Sequence, residues 1–198
     1  MATGQAAATG NVSGHGAEQA VQKRRSLNRI GLWLFLLSET FLFSALLSSR
    51  FFLMGLDRPE ELDQELGLAI TMILILSSLT AFRAETFAFH GDQKGFSRYM
   101  ICTLILGLLF MLGVGYEWSQ AFHHFPPDTG YGTLFFTMTG VHAFHVATGL
   151  IALAVVLWIR RGGRGAGKDT WPVEGAVKYW HFVDVAWVFI YPALYLVN

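Results

Sequence analysis

The chain has 198 residues, of which 53% are hydrophobic, 15% aromatic and only 14% charged, where a soluble domain carries roughly a quarter charged residues. Lysine plus arginine and aspartate plus glutamate each number 14, so no net charge marks an anionic partner. Disordered proteins, basic nucleic-acid binders and most soluble enzymes are excluded. The single cysteine, Cys102, excludes a disulfide framework and a thiolate metal site made by this chain alone.

The chain opens on Ala, Gly, Thr, Ser and Gln without an apolar core. That composition predicts a flexible tail over 1–26 rather than a signal peptide, followed by a membrane domain over 27–198. A bilayer core of about 30 Å takes roughly 20 apolar residues in helix. Five runs meet that length, predicting transmembrane helices at about 30–53, 66–86, 99–118, 131–159 and 178–197. Backbone polar groups in lipid must be satisfied internally, so the expected fold is an all-α bundle of five spans. Strands alternating apolar and polar residues are missing, which argues against a barrel.

Charge placement predicts the orientation. Lys23, Arg24, Arg25 and Arg29 precede the first span; Arg83, Lys94 and Arg98 lie between the second and third. Arg160, Arg161, Arg164, Lys168 and Lys178 lie between the fourth and fifth. Twelve of the fourteen basic residues thus fall on one side. By the positive-inside rule the N-terminus is cytoplasmic and the C-terminus periplasmic. Arg50, near the outer end of its span, is expected to snorkel to the interface. Trp171, Tyr179 and Trp180 at one boundary, and Trp118 and Tyr131 at the other, are expected to form interfacial belts.

Ionisable groups inside a span are costly and need a partner or a purpose. Glu39 lies near the middle of the first span with no Lys or Arg within four positions. It is either a protonated carboxyl bonded to a neighbouring helix or a proton-handling group beside a partner subunit. His142 and His145 are three apart and share a face with Gly149 and Ala152. That face is either a packing seam or a ligand pair for haem or metal, although no Cys or carboxylate cluster surrounds it. His181 and Asp184 are also three apart, with Tyr191 and Tyr195 on nearly the same face. They read as a structural pair that satisfies both groups; a general-base pair needs a nucleophile and a pocket. An accessory subunit, a small transporter and a membrane enzyme remain open. A transporter favours broken helices at matching places in two halves, and Pro192 is the only proline within a span.

The last span, with Tyr179-Trp180-His181-Phe182-Val183-Asp184 and then Trp187, resembles the closing helix of subunit III of the haem-copper oxidases. The fourth span resembles the same family in the run from Tyr131 to Phe136 and in Thr139-Gly140-Val141-His142-Ala143-Phe144-His145. Ser38-Glu39 with Phe41 and Phe43, and Tyr116-Glu117-Trp118, are similar to its remaining motifs. The resemblance covers about residues 27–197. It implies a non-catalytic third subunit of a respiratory terminal oxidase in the bacterial inner membrane. Subunit I is the expected main partner, holding the haems and copper that reduce oxygen to water while protons are pumped; subunit II is a second partner. No haem, copper or other redox centre is expected in this chain, no nucleic acid is bound, and phospholipid is an expected ligand. Glu39 matches the family's membrane-buried glutamate, a proton-related or subunit-contact group. His142, His145, His181, Asp184 and Glu117 match positions read as packing and lipid-contact groups. Many members have seven helices, and the five here match the last five. A cytochrome c oxidase is the favoured assembly, with a quinol oxidase or the subunit III-like protein of a nitric oxide reductase system as alternatives.

Overall fold

In a computed structural model, the described residues are 5–54, 64–124, 126–162 and 170–196, with residues 5–18, 54 and 124 described by backbone alone. They form five α-helices: α1 (Gln5–Met54), α2 (Gln64–Phe89), α3 (Gln93–His124), α4 (Gly130–Arg161) and α5 (Trp171–Tyr191). A π-helical turn, Pro192–Leu196, follows α5 directly. The chain divides into two units, Met1–Ser38 and Glu39–Asn198. The first holds the opening part of α1; the second holds the rest of α1 with α2 to α5.

Among the described residues, four segments are long and apolar enough to cross a membrane: Gln19–Leu53, Gln64–Phe89, Gln93–His123 and Gly130–Arg161. The span expected at about 178–197 falls on α5 and the π turn, its last residue outside the described ones. α5 is set apart by three charged residues, Glu174, Lys178 and Asp184, within 21 positions. The opening segment departs from the expected tail, because α1 is helical from Gln5. Elongating a helix that is already nucleated costs far less than starting one, and no proline interrupts residues 5–54.

Within the second unit, α2 packs on α3 and α5, and α4 packs on α3 and α5. The α2–α3 turn is tight. Gly91 takes φ +77°, the left-handed region that favours glycine. Asp92 Oδ1 then accepts from the backbone N–H groups of Lys94 and Gly95, each at 3.0 Å, and caps α3. α4 starts in the same way, with Thr129 Oγ1 accepting from Gly132 N at 3.1 Å.

The α2–α5 seam has a clear chemical register. Trp180 Nε1 donates to Ser77 Oγ at 3.0 Å, and Trp187 Nε1 donates to Thr71 Oγ1 at 2.9 Å. Seven residues forward on α5 thus match six residues back on α2, as two antiparallel helices require. Each hydroxyl meanwhile donates into its own helix, Ser77 to Leu74 O and Thr71 to Gly67 O. Small hydroxyl residues of this kind are what membrane helices use to bond across an interface. Trp180 is fully buried, so it is a packing residue and not part of an interfacial belt. It is enclosed by absent side chains. A Cβ on Gly107 of α3 would lie 2.7 Å from its ring, and one on Gly149 of α4 would lie 2.9 Å away. Three helices therefore converge on one indole.

Candidate functional site

The expected polar groups gather on three sides of α4 and α5. Glu39 Oε2 of α1 stands 3.0 Å from His145 Nε2 of α4. The other ring nitrogen, His145 Nδ1, lies 2.7 Å from Val141 O, four residues back. A carbonyl can only accept, so Nδ1 carries a hydrogen. Nε2 then either accepts from a carboxylic acid or donates to a carboxylate. In both arrangements the pair holds one proton between Nε2 and Oε2 and has no net charge. The backbone of His145 is held in turn. Thr148 Oγ1 donates to His145 O at 2.9 Å, and the Tyr179 hydroxyl reaches both Thr148 Oγ1, at 2.9 Å, and His145 O, at 3.4 Å. Glu39, His145, Thr148 and Tyr179 thus link α1, α4 and α5.

His142, one turn before His145, is separate from this network. It is fully buried, and neither ring nitrogen has a hydrogen-bond partner among the described residues. Three rings enclose it: Trp187 at 4.8 Å, Phe110 edge-on at 5.8 Å and Phe43 at 6.3 Å between centroids. Phe43 also meets the His145 ring at 5.1 Å. The shared face read from the spacing is real, but the two imidazoles on it do different things. Gly149, on the same face, admits the Trp180 ring.

His181 and Asp184 do not pair with each other. His181 Nδ1 is 2.5 Å from Ser78 Oγ on α2. Asp184 is buried, and neither carboxyl oxygen has a partner of hydrogen-bond geometry among the described residues. The helical face that carries both residues also faces α2, and the Ser78 hydroxyl, which periodicity did not single out, intercepts the imidazole.

Glu117 closes the opposite end. The Tyr195 hydroxyl donates to its Oε1 at 2.5 Å. The Tyr131 hydroxyl donates to Leu194 O at 3.1 Å, and Gln64 Nε2 to Tyr195 O at 3.1 Å. Proline at 192 cannot donate a backbone N–H, and the π turn that it opens is tied down from α2, α3 and α4 by these bonds. Tyr191 and Tyr195 stack at 5.1 Å. Arg50 does not snorkel; it is fully buried, with its guanidinium carbon 5.6 Å from the Tyr131 ring centre. Neither tyrosine nor tryptophan at the expected belts is idle: Trp118 Nε1 donates to Thr139 Oγ1 at 3.0 Å. At the start of α5, Lys178 Nζ bonds Glu174 Oε1 one turn earlier, and Glu85 of α2 lies within electrostatic reach of both. Among the described residues no three His, Cys, Asp or Glu side chains converge as a metal-binding group.

Residues 5–198 match the family described as cytochrome c oxidase subunit III. A protein of Podospora anserina named cytochrome c oxidase subunit 3 is 35% identical over 189 residues, covering 89% of this chain and 68% of that protein. One of Nocardia farcinica named probable cytochrome c oxidase subunit 3 is 30% identical, covering 89% of this chain and 94% of its own length. One of Staphylococcus aureus named probable quinol oxidase subunit 3 is 34% identical, covering 87% of this chain and 90% of its own.

Proposed function

The chain belongs to the cytochrome c oxidase subunit III family, and from that premise we propose that it is the non-catalytic third subunit of a respiratory haem-copper terminal oxidase. In this reading it crosses the bacterial inner membrane five times, with the N-terminus cytoplasmic and the C-terminus periplasmic. It packs on subunit I, with subunit II as a further partner, stabilises subunit I and supports proton uptake while that subunit reduces oxygen to water.

The observation that carries the proton-related part is the Glu39–His145 pair, one carboxyl and one imidazole 3.0 Å apart on α1 and α4. Such a pair passes between a neutral and a zwitterionic form without gaining or losing a proton, so a neighbouring subunit that favours one form shifts the balance between them. The haems and copper are assigned to partner subunits. The donor set supports this: both nitrogens of His145 are engaged by Val141 O and Glu39, and aromatic rings close around His142. Bound phospholipid is part of this reading. A cavity of about 300 Å³ lies between the second half of α1 and α5, lined by Thr40, Phe43, Leu47, Phe182 and Phe189 among others. Its apolar wall suits an acyl chain.

Purification through a tag on this chain tests the assignment. Recovery of a haem-bearing subunit with oxygen-reducing activity is expected; recovery of the chain alone, or with partners that carry no haem, overturns it. The Staphylococcus relative favours a second reading, a quinol oxidase. A copper-binding domain on the co-purified subunit II selects cytochrome c as donor, and a subunit II without copper selects quinol.

A further inference from the structure

Asp184 poses a problem that the Glu39–His145 pair does not solve. It is 6% exposed, and among the described residues neither of its oxygens has a partner of hydrogen-bond geometry. A carboxylate at this depth has at most one hydroxyl nearby to stabilise it, and leaving a charge so placed is far more costly than leaving a neutral group. A carboxylic acid, by contrast, brings its own donor. The Ser78 hydroxyl is a neighbour of the Asp184 side chain and is itself 2.5 Å from His181 Nδ1. His181 is half-buried, so its ring reaches the surface of the bundle.

We propose that Ser78, His181 and Asp184 form a proton wire across the α2–α5 seam, connecting a buried carboxylic acid to a surface imidazole through one serine hydroxyl. In the conducting arrangement, reached by a small rotation of the Asp184 side chain, Asp184 O–H donates to Ser78 Oγ, Ser78 O–H donates to His181 Nδ1 as it does at rest, and His181 carries its hydrogen on Nε2. Transfer breaks the Asp184 O–H bond and forms a new bond to Ser78 Oγ, while the original serine hydrogen moves to Nδ1. Asp184 becomes a carboxylate and His181 an imidazolium, with no proton gained or lost. Loss of the Nε2 proton to a base outside the bundle then completes delivery, and uptake runs the steps in reverse. The hydroxyl is the relay because it can accept one hydrogen while donating its own. This wire is separate from Glu39 and does not depend on the proton-uptake reading given above for that residue.

The test uses the assembled oxidase containing this chain, reconstituted in lipid and followed by infrared spectroscopy after transfer from H2O to D2O. A carboxylic-acid C=O band that shifts in D2O and vanishes in Asp184→Asn is expected. Should the Asn variant not assemble, Asp184→Glu, which keeps the acid, is expected to move that band. Ser78→Ala is expected to slow its exchange on the order of tenfold or more, the factor one lost hydrogen bond corresponds to, and Ser78→Thr to restore it. A band unchanged in both Asp184 variants overturns the protonated acid. Exchange equally fast in Ser78→Ala overturns the wire.

Discussion

Trp187 reaches across the α2–α5 seam to place its indole N–H 2.9 Å from Thr71 Oγ1, and both residues are buried. The threonine hydroxyl is the only part of that contact with a role valine cannot take. Thr71→Val keeps the shape and leaves a buried donor unsatisfied, at a cost of about 1–3 kcal/mol. Thermal unfolding of the purified complex, followed by release of this subunit, is expected to show the loss. The double variant Thr71→Val with Trp187→Phe is expected to recover part of it, since both polar partners are then removed together. No recovery refutes the hydrogen bond as the cause.

Glu39→Gln should leave assembly intact. The amide NH2 can donate to the neutral Nε2 of His145, so the α1–α4 link survives while the zwitterionic form is lost. Turnover of the complex is expected to fall, or to decay faster at alkaline pH where protons are scarce, while reduction of the haems by the donor is unchanged. Glu39→Leu instead strands the His145 ring nitrogen and is expected to weaken retention of the subunit by about 1–3 kcal/mol. Normal turnover and lifetime in Glu39→Gln, measured across the pH range, would reduce Glu39 to a packing group.

His142→Phe should be tolerated. Both ring nitrogens lack partners among the described residues, in an aromatic enclosure, and replacing unsatisfied polar groups by an apolar group of similar shape is nearly neutral or stabilising. The expected complex keeps its haem spectrum and loses no thermal stability. Loss of a haem band would establish the ligand role left open by the His142/His145 spacing.

A reporter joined after residue 198 is expected on the periplasmic side, and one inserted in the basic loop near Arg164 on the cytoplasmic side. A cytoplasmic reading at both positions in intact cells means that α5 does not cross, and the five-span reading fails.

Helix existence and order were legible because apolar runs of span length leave few alternatives in lipid. The pairing of Glu39 with His145 was not. Glu39 showed only that it needed a partner, and 106 residues separate the two. The i,i+3 rule placed His181 and Asp184 on one face correctly. It could not reveal that Ser78, 103 residues earlier, takes the imidazole. Belt assignments failed for Trp180 for a related reason: tryptophan at a span end signals an interface only when nothing small stands opposite it. Here Gly107 and Gly149 stand opposite. Arg50 likewise looked peripheral along the helix axis, whereas its burial depends on the azimuth at which α1 meets its neighbours.

The two glycines around Trp180 have a consequence for how this sequence can change. They sit on different helices, 42 positions apart, yet each faces the same indole within 3 Å of where a Cβ would stand. Enlarging either one should be rescued by the same second substitution, a smaller ring at 180, and by little else. A library that randomises 107, 149 and 180 together should therefore return a trade in volume among three sites, with the hydrogen bond to Ser77 kept only in survivors that retain a side-chain N–H at 180.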